Sequence, residues 1–363
     1  MRIALDLRMA SWSGVGRYSV GISGALARHP EVEPVLVLAA NESVPELLCD
    51  CERHHVEGHP FSPAGSYHFS ETLQRVKPDL THCLHFPTPF PATHPLVVTM
   101  HDLTPLLVPG VMPSGAKRAI YRYAVRRAVH VADRIVTLSE FSLEQVSSVF
   151  PSAASKGRVT LAGADDFAAG PVAILEGRLA EIAGASYVLS MGSTRPHKDL
   201  PTLLSAFAAL AAERADLRLV LAGTGEDGYL DAQLAGVSED VRSRVSFTGS
   251  ITDDELRALY THAELLAFPS RYEGFGLPPL EAMALGTPVV TTNAASLPEV
   301  VGKKAALVVD PGDATALADA IAQVLDKPAT RRRLVKAGHA RAEELTWAAA
   351  AERTVEVYRE LLG

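Results

Sequence analysis

Short apolar runs alternate along the chain with longer stretches in which hydrophobic positions follow a helical period. The apolar runs lack polar alternation, which is expected of strands covered by helices on both faces. Because strand and helix alternate repeatedly, the pattern predicts parallel α/β sheets. The predicted strands are 3–7, 35–40, 80–85, 97–101 and 135–139 in the first half, and 187–191, 217–222, 245–248, 265–269, 289–292 and 306–309 in the second.

The strands form two series, which predict two Rossmann-like domains with doubly wound parallel sheets. A glycine-containing segment near 162–186 separates the series and is typical of a linker. We therefore predict a first domain over 1–168, a second over 169–345 and a final helix over 346–363. A chain of 363 residues has the length of two ordinary domains.

Composition narrows the class of protein. Hydrophobic residues make up 47% and charged residues 21%, which suits buried cores and excludes a disordered chain. The net charge of −8 argues against a nucleic-acid-binding protein, which needs surplus cations. Three cysteines are too few for a disulfide framework. With no signal peptide and no apolar run of ~18 residues, we expect a cytoplasmic protein, at most peripheral at the inner face of the plasma membrane.

The segment 271–286 carries the most specific chemistry. Gly274 and Gly276 let the backbone approach a ligand closely, and the helix that follows directs N–H groups at it. Glu273 precedes this helix and Glu281 lies inside it, so one carboxylate can reach sugar hydroxyls and the other a ribose. The alternative is a plain glycine-proline loop followed by a solvated helix residue.

The string Glu-Gly-Phe-Gly-Leu-Pro-Pro-Leu-Glu resembles the retaining glycosyltransferases of GT-B architecture, in family four of the bacterial glycosyltransferases. The similarity continues through 287–300 and 308–313. It implies that Glu273 contacts the donor sugar and Glu281 the ribose of the nucleotide. It also implies donor contacts from Gly274, Phe275, Gly276 and Leu277 along the loop backbone.

The resemblance implies an architecture as well. Two Rossmann-like domains would face each other across an interdomain cleft, with the donor mostly on the second domain and the acceptor on the first. The final helix would cross back to the first domain. The same resemblance implies that the backbone at Ser250 and Ile251 holds the nucleobase of the donor.

A second loop, after the strand 187–191, predicts a clamp for the diphosphate. Arg195 and Lys198 stand just before a helix, where their charge can stabilise a nucleoside diphosphate as it leaves. Many family members place the arginine directly after the loop glycine, where this chain has Ser193. In this chain, either Arg195 takes the role of that arginine from a shifted position, or His197 contributes to the clamp. The pairs Asp165–Asp166 and Asp253–Asp254 lie in a linker and at a helix start, so we predict no metal.

The N-terminal glycines admit two interpretations. Gly14 and Gly16 open a helix as in a dinucleotide-binding fingerprint, and Glu42 stands near the usual ribose-binding position. Ser19 replaces the third glycine, which leaves a nicotinamide oxidoreductase as a remote alternative. The resemblance instead places this loop beneath the donor phosphates, with Arg17 beside the acceptor.

The predicted strand 97–101 ends at His101 and is followed by Asp102, and ligands of parallel sheets bind at the carboxyl ends of strands. A lone histidine there is more often structural than catalytic. The match of His-Asp-Leu to the family favours a functional role, in which His101 hydrogen-bonds the donor sugar and Asp102 faces the acceptor. We expect front-face retention, with the leaving phosphate oxygen helping to deprotonate the acceptor.

Two weaker features remain. The segment 116–130 is a basic amphipathic helix, which predicts contact with an anionic membrane surface or, alternatively, a solvated helix face. Its cations are Lys117, Arg118, Arg122, Arg126 and Arg127. Cys49 and Cys51 with nearby histidines could form a metal tract, but the spacing fits no standard zinc pattern and the segment is predicted to be a loop.

Together these features predict a hexosyltransferase that needs no cofactor beyond its nucleotide-sugar donor. The strings around His101 and Glu273 are similar to those of bacterial mannosyltransferases of cell-surface polysaccharide assembly, so GDP-mannose is the expected donor. A UDP-sugar, UDP-glucose among them, is the alternative. The acceptor is expected to be a glycan or a lipid-linked molecule. A non-catalytic sugar-nucleotide sensor is the remaining alternative from another class.

Overall fold

The computed structural model describes residues 1–43, 46–112, 114–191, 195–223 and 228–363, apart from the side chains at positions 13, 178, 229 and 230. The chain forms two compact units, Met1–Gly163 with Leu345–Gly363, and Ala164–Glu344. The first boundary therefore lies five residues before the position expected from the sequence. The reason is a short helix, Asp165–Ala168, that packs within the second unit, where the ring of Phe167 meets that of Tyr260.

The first unit contains a seven-stranded parallel sheet in the order β3-β2-β1-β4-β5-β6-β7. The order reverses direction at β1 and β4, as in a doubly wound sheet. An apolar core lies between one face of the sheet and helices α2, α4 and α5. The strands are β1 Arg2–Asp6, β2 Glu33–Ala39, β3 Glu52–Val56, β4 Leu80–Cys83, β5 Leu96–Met100, β6 Arg134–Thr137 and β7 Gly157–Val159; the helices are α1 Ser13–Ala27, α2 Pro63–Val76, α3 Thr104–Leu107, α4 Gly115–Val131 and α5 Glu140–Val149.

The second unit repeats this plan with a six-stranded parallel sheet in the order β10-β9-β8-β11-β12-β13. Its core joins α7 and α13 to one face of the sheet. The strands are β8 Tyr187–Met191, β9 Arg218–Ala222, β10 Val245–Phe247, β11 Leu265–Phe268, β12 Val289–Thr292 and β13 Ala306–Val309; the helices are α6 Asp165–Ala168, α7 Leu200–Ala211, α8 Tyr229–Leu234, α9 Glu239–Arg242, α10 Asp253–His262, α11 Leu277–Ala284, α12 Leu297–Val301, α13 Ala314–Asp326 and α14 Pro328–Glu344.

The last helix, α15 Trp347–Leu362, belongs to the first unit and packs against α1. Gly21 of α1 makes this approach possible, because a Cβ at that position would overlap the ring of Trp347. Tyr358 reaches the sheet, where its hydroxyl lies 2.6 Å from Nδ1 of the buried His82. No helix in the described part of the chain is long and apolar enough to span a membrane.

The two outer strands β3 and β7 were not predicted from the sequence. In β3 most side chains are exposed, because the strand is at an edge of the sheet and has one unpaired side. Its polar sequence therefore lacks the apolar run that marks the central strands. The sequence predicted a loop for the segment that contains Cys49, Cys51 and the nearby histidines, and this prediction was wrong for Glu52–Val56.

Candidate functional site

The second unit brings Lys198 and Glu273 together. Lys198 ends a short 3-10 helix, Pro196–Lys198, after β8, and Glu273 lies in the loop after β11. These strands are neighbours in the parallel sheet, so their carboxyl ends adjoin. Lys198 Nζ donates to Glu273 Oε1 at 2.7 Å, with 16% and 14% of the two side chains exposed. The ammonium also lies 4.8 Å from the ring centroid of Phe268. The predicted cation and carboxylate thus form one partly buried ion pair.

A second ion pair ties the same two loops together. Asp199 is buried and adopts a left-handed backbone conformation with φ of 54°. Its Oδ2 accepts from Arg271 Nε at 2.7 Å and from Thr202 Oγ1 at 2.7 Å. The Arg271 backbone N–H donates to the His197 carbonyl at 2.7 Å. Sequence reasoning singled out neither Asp199 nor Arg271, since the sequence carries no signal that pairs them.

Arg195 and His197 complete the described part of the clamp loop. Arg195 is exposed, and its carbonyl accepts from the Lys198 N–H at 2.9 Å. Burial, and to a smaller extent the positive charge of Lys198, lowers the pKa of His197 to about 4. The His197 ring is therefore neutral near pH 7 and supplies hydrogen-bonding atoms rather than charge. Gly192 and Ser193, which the sequence comparison with the family invoked, lie outside the described residues.

The loop between Glu273 and α11 is held by Ser296. Its Oγ lies 2.9 Å from the Glu273 carbonyl oxygen and 2.6 Å from that of Phe275. Gly276 has φ of 120°, and a Cβ there would lie 3.0 Å from Leu297 Cδ2, so this position requires glycine. The loop conformation is therefore set by its backbone and by a serine after β12.

The start of α11 offers few donors. Gly276 precedes the helix, and Leu277 is its first residue. Because the next two residues are prolines, Leu277 alone among the first three helix residues carries a backbone N–H. The donor contacts expected of Gly276 and Leu277 would therefore use the backbone N–H groups of these two residues, because Pro278 and Pro279 have none.

Glu281 lies on the buried face of α11, and only 3% of the residue is exposed. The hydroxyl of Tyr260 donates to its Oε2 at 3.0 Å. Its contact with a ribose stays a prediction. Ser250 and Ile251 follow β10, the former exposed and the latter half-buried, just before the capping box that begins α10. Their nucleobase contact likewise stays a prediction.

In the first unit, His101 follows β5 and is fixed by a backbone carbonyl. Its Nε2 lies 2.9 Å from the Leu84 carbonyl oxygen. Because a carbonyl can only accept, Nε2 carries the proton. Burial lowers the pKa of His101 to about 4, so the ring is neutral near pH 7 and Nδ1 is an acceptor. The ring stands edge-on to Tyr18 at a centroid distance of 4.9 Å.

The N-terminal glycines lie in the first turn of α1. A Cβ at Gly16 would overlap the Ala10 carbonyl, whereas Gly14 has open space around its Cα. The close approach of the Ala10 carbonyl therefore requires glycine at position 16. Arg17 is half-buried on the same helix. Asp102 Oδ1 accepts from the Thr104 N–H at 2.8 Å and shapes the turn before α3.

The acidic pairs sit where helices begin. Asp165 and Asp166 lie in the first turn of α6, and Asp253 and Asp254 in that of α10. Among the described residues, no group of three or more histidine, cysteine, aspartate or glutamate side chains is arranged to hold a metal ion.

Two family models match the chain, one over each of its two sheets. A family model described as "Glycosyl transferases group 1" matches residues 177–341, and one described as "Glycosyl transferase 4-like domain" matches residues 13–162. Among solved structures, sucrose-phosphate synthase from Thermosynechococcus elongatus has a TM-score of 0.78 at 23% identity, covering 99% of both chains. Anabaena HepE in complex with UDP-glucose has a TM-score of 0.77 at 19% identity, covering 99% of this chain and 100% of that one.

Curated relatives are closer in sequence. O-antigen chain mannosyltransferase B of Escherichia coli is 32% identical over 73% of this chain and 70% of the relative. MMP alpha-(1->4)-mannosyltransferase of Mycolicibacterium hassiacum is 41% identical over 46% of this chain and 41% of the relative. D-inositol 3-phosphate glycosyltransferase of Nocardioides is 28% identical over 98% of this chain and 81% of the relative.

The two Rossmann-like sheets and the structural neighbours define the GT-B class of glycosyltransferases. Within that class the chain belongs to family four, the glycosyl transferases group 1. This membership sets aside the oxidoreductase alternative, which the missing third glycine already disfavoured.

Proposed function

We propose that the protein transfers a hexose from a nucleotide diphosphate sugar to a glycan or lipid-linked acceptor, with retention of configuration. The ion pair between Lys198 and Glu273 carries the proposal. It supplies a cation for the leaving diphosphate and, 2.7 Å away, an acceptor for hydroxyls of the attached sugar. A sugar diphosphate has both of these partners at its reactive end, a negatively charged phosphate and sugar hydroxyls.

In the proposed reaction, the bond between the anomeric carbon and the phosphate oxygen breaks while the acceptor oxygen bonds to the same face of that carbon. The acceptor proton passes to the leaving phosphate oxygen. Lys198 and Arg195 stabilise the negative charge that develops there, in the place a metal ion takes in other transferases. The neutral His101, with Nε2 held by Leu84, accepts a sugar hydroxyl hydrogen at Nδ1.

Mannose from GDP-mannose is the donor that we propose. Two curated relatives at 32% and 41% identity are named mannosyltransferases, the first of them for an O-antigen chain. A UDP-sugar is the second candidate, because HepE, with nearly the same fold, is solved in complex with UDP-glucose. Cytoplasmic location and assembly of a cell-surface polysaccharide belong to the same proposal.

Thermal unfolding in the presence of GDP- and UDP-sugars tests the donor. A ligand that binds only the folded state at 100 times its Kd adds about 2.7 kcal/mol of stability. We expect GDP and GDP-mannose to raise the melting temperature more than UDP and UDP-glucose do. A larger shift with the uridine compounds would move the proposal to the second candidate.

Turnover measurements then test the site. Replacing Lys198 by Ala, or Glu273 by Gln, should lower the transfer rate by about 10²-fold or more, because each removes a charge that acts on the transition state. Lys303→Ala, which removes an exposed lysine of the same unit, is the matched control. NMR of the product's anomeric proton reports retention. Near-normal rates in both site variants, or hydride transfer to NAD, would contradict the proposal, and binding of a donor without its turnover would indicate a sensor.

A further inference from the structure

Two exposed aromatic rings lie side by side at the carboxyl edge of the first sheet. Trp12 follows β1 and Phe61 follows β3, with 42% and 40% of their surfaces exposed. Their ring centroids are 5.8 Å apart and their planes differ by 31°. His59 borders both, at 6.0 Å from Trp12 and 5.7 Å from Phe61. We call Trp12 and Phe61 the aromatic platform.

The platform is continuous with His101. The ring of His85 lies 6.2 Å from Phe61 and 5.3 Å from His101. One imidazole therefore bridges the exposed rings and the residue proposed to contact the donor sugar. His85 Nδ1 is buried and has no hydrogen-bond partner among the described residues. Burial holds the pKa of His85 well below its usual range, so this ring is neutral near pH 7.

The chemistry of the platform suits an uncharged sugar ring. A pyranose has a face of C–H groups that packs on an aromatic ring and a rim of hydroxyls that hydrogen-bonds to neighbouring polar atoms. The nearby Arg8 is not available to a phosphate, because it is buried and paired with Asp6 at 2.7 Å. Its guanidinium also donates to the Gly65 carbonyl and lies over the ring of Phe69.

We infer that Trp12 and Phe61 bind the acceptor by stacking against an uncharged pyranose ring of a glycan, with His85 reaching a hydroxyl of that ring. The inference rests on the proposed function and names the acceptor class: a neutral sugar residue rather than a phosphorylated cyclitol or sugar. It concerns residues of the first unit only and does not depend on Lys198 or Glu273.

Alanine variants at Trp12 and Phe61 test the platform in the full-length chain. With mannotriose, maltotriose and cellotriose as acceptors, we expect kcat/KM for the acceptor to fall about tenfold in each, mainly through KM. Hydrolysis of the donor by water, which uses no glycan acceptor, should fall much less than transfer does. Tyr67→Ala is the matched control, since Tyr67 is another exposed aromatic of this unit and its ring neighbours His68 instead of the platform. Trp12→Phe should restore most of the lost acceptor affinity.

Tryptophan emission gives a readout independent of turnover. The chain has two tryptophans, and Trp347 is buried, so the exposed Trp12 reports on binding at the platform. Millimolar trisaccharide should shift the emission of the wild-type protein and leave that of Trp12→Phe unchanged. The absence of a shift with all three trisaccharides would overturn the inference.

The outcomes separate the platform from the proposed function. If the wild-type protein neither hydrolyses nor transfers from any sugar nucleotide, the proposed function fails, and the emission shift still decides the platform. If transfer occurs and the alanine variants equal Tyr67→Ala, the platform is wrong. Equal losses of transfer and of donor hydrolysis in the alanine variants would also overturn the inference. So would transfer to inositol 3-phosphate that is faster than transfer to the trisaccharides and is unchanged in the alanine variants. Circular dichroism and the Trp12→Phe variant distinguish these results from misfolding.

Discussion

At the scale of residues, the candidate donor site is organised by side chains to which the sequence assigned no role. Ser296 holds the carbonyls of Glu273 and Phe275, and Asp199 holds Arg271. These contacts fix the loop before any ligand arrives, which lowers the entropy cost of binding the donor. In the proposed function, donor binding exchanges part of the contact between Lys198 and Glu273 for contacts with the sugar diphosphate.

Ser296→Ala is predicted to weaken donor binding while leaving the charges of the site intact. The change leaves the Glu273 and Phe275 carbonyls without their shared donor, which should cost about 1–2 kcal/mol of unfolding free energy. We expect the donor KM to rise severalfold with a smaller change in kcat. Steady-state kinetics and urea unfolding measure the two effects.

The control for this prediction is Ser205→Ala. Ser205 is an exposed serine of α7 whose hydroxyl donates to the Pro201 carbonyl of its own helix. A Ser296→Ala variant with the donor KM of Ser205→Ala would show that the hydroxyl does not support the loop.

The motif residues could be predicted from the sequence, whereas their supports could not. Glu273 and Lys198 belong to recognisable strings beside predicted strands. Ser296 stands 23 positions from Glu273, and Arg271 stands 72 from Asp199. Such pairings depend on which loops adjoin after the sheet has formed, and no local pattern records them.

At the scale of elements, α4 has one face on the protein and one exposed face. Arg118 donates to the Leu106 carbonyl, and Arg127 donates to Thr88 and Pro89. These two cations of the predicted membrane helix are therefore engaged with the protein. The exposed face carries Lys117, Arg122 and Arg126 around Ile120 and Tyr123, which are 68% and 69% exposed.

The exposed face of α4 is predicted to bind anionic membranes. Each cation near an anionic surface contributes about 1 kcal/mol, and the exposed apolar side chains add burial in the interface. Replacing Lys117, Arg122 and Arg126 together by Gln should reduce binding to phosphatidylglycerol vesicles by about 10²-fold in a flotation assay. Binding to phosphatidylcholine vesicles should be weak before and after.

Three exposed cations of α14, Arg332, Arg333 and Lys336, provide the matched control. Their replacement by Gln changes the net charge equally but on the other unit. If both triple variants bind vesicles alike, the attraction is not specific to α4 and the membrane interpretation fails.

Sequence patterns predicted every strand of the second sheet and the central strands of the first, and they missed the two edge strands of the first sheet, β3 and β7. Central strands are covered on both faces and must be apolar throughout, as in β5 and β11. An edge strand such as β3 is half in solvent, and β7 is only three residues long. Their sequences resemble loops because their burial is low or brief.

At the scale of the whole molecule, both units bury neutral histidines. Burial lowers the pKa of His82 to about 3 and that of His101 and His197 to about 4. The first two lie in the first unit and the third in the second. An unfolded histidine has a pKa near 6.5, so between these values the unfolded chain binds more protons than the folded chain.

Stability is therefore predicted to fall as the pH drops from about 6.5 toward 4. His82, which is fully buried, contributes a slope of up to about 1.4 kcal/mol per pH unit, and the half-buried His101 and His197 each contribute less. Urea unfolding at pH 7, 6 and 5 measures the slope, and His82→Gln should reduce it. His130→Ala, at an exposed position of α4, is the control. A stability that is flat over this range would contradict the burial of neutral imidazoles.

The sequence by itself determined the repeated α/β plan and the class of reaction, because periodicity and short motifs are local properties of the chain. Only the tertiary structure decided which loops adjoin. It paired Lys198 with Glu273, set the tautomer of His101 through the Leu84 carbonyl and placed Trp12 beside Phe61. These relations join residues far apart in the chain, and they arise because a doubly wound parallel sheet collects the loops after its strands at one edge.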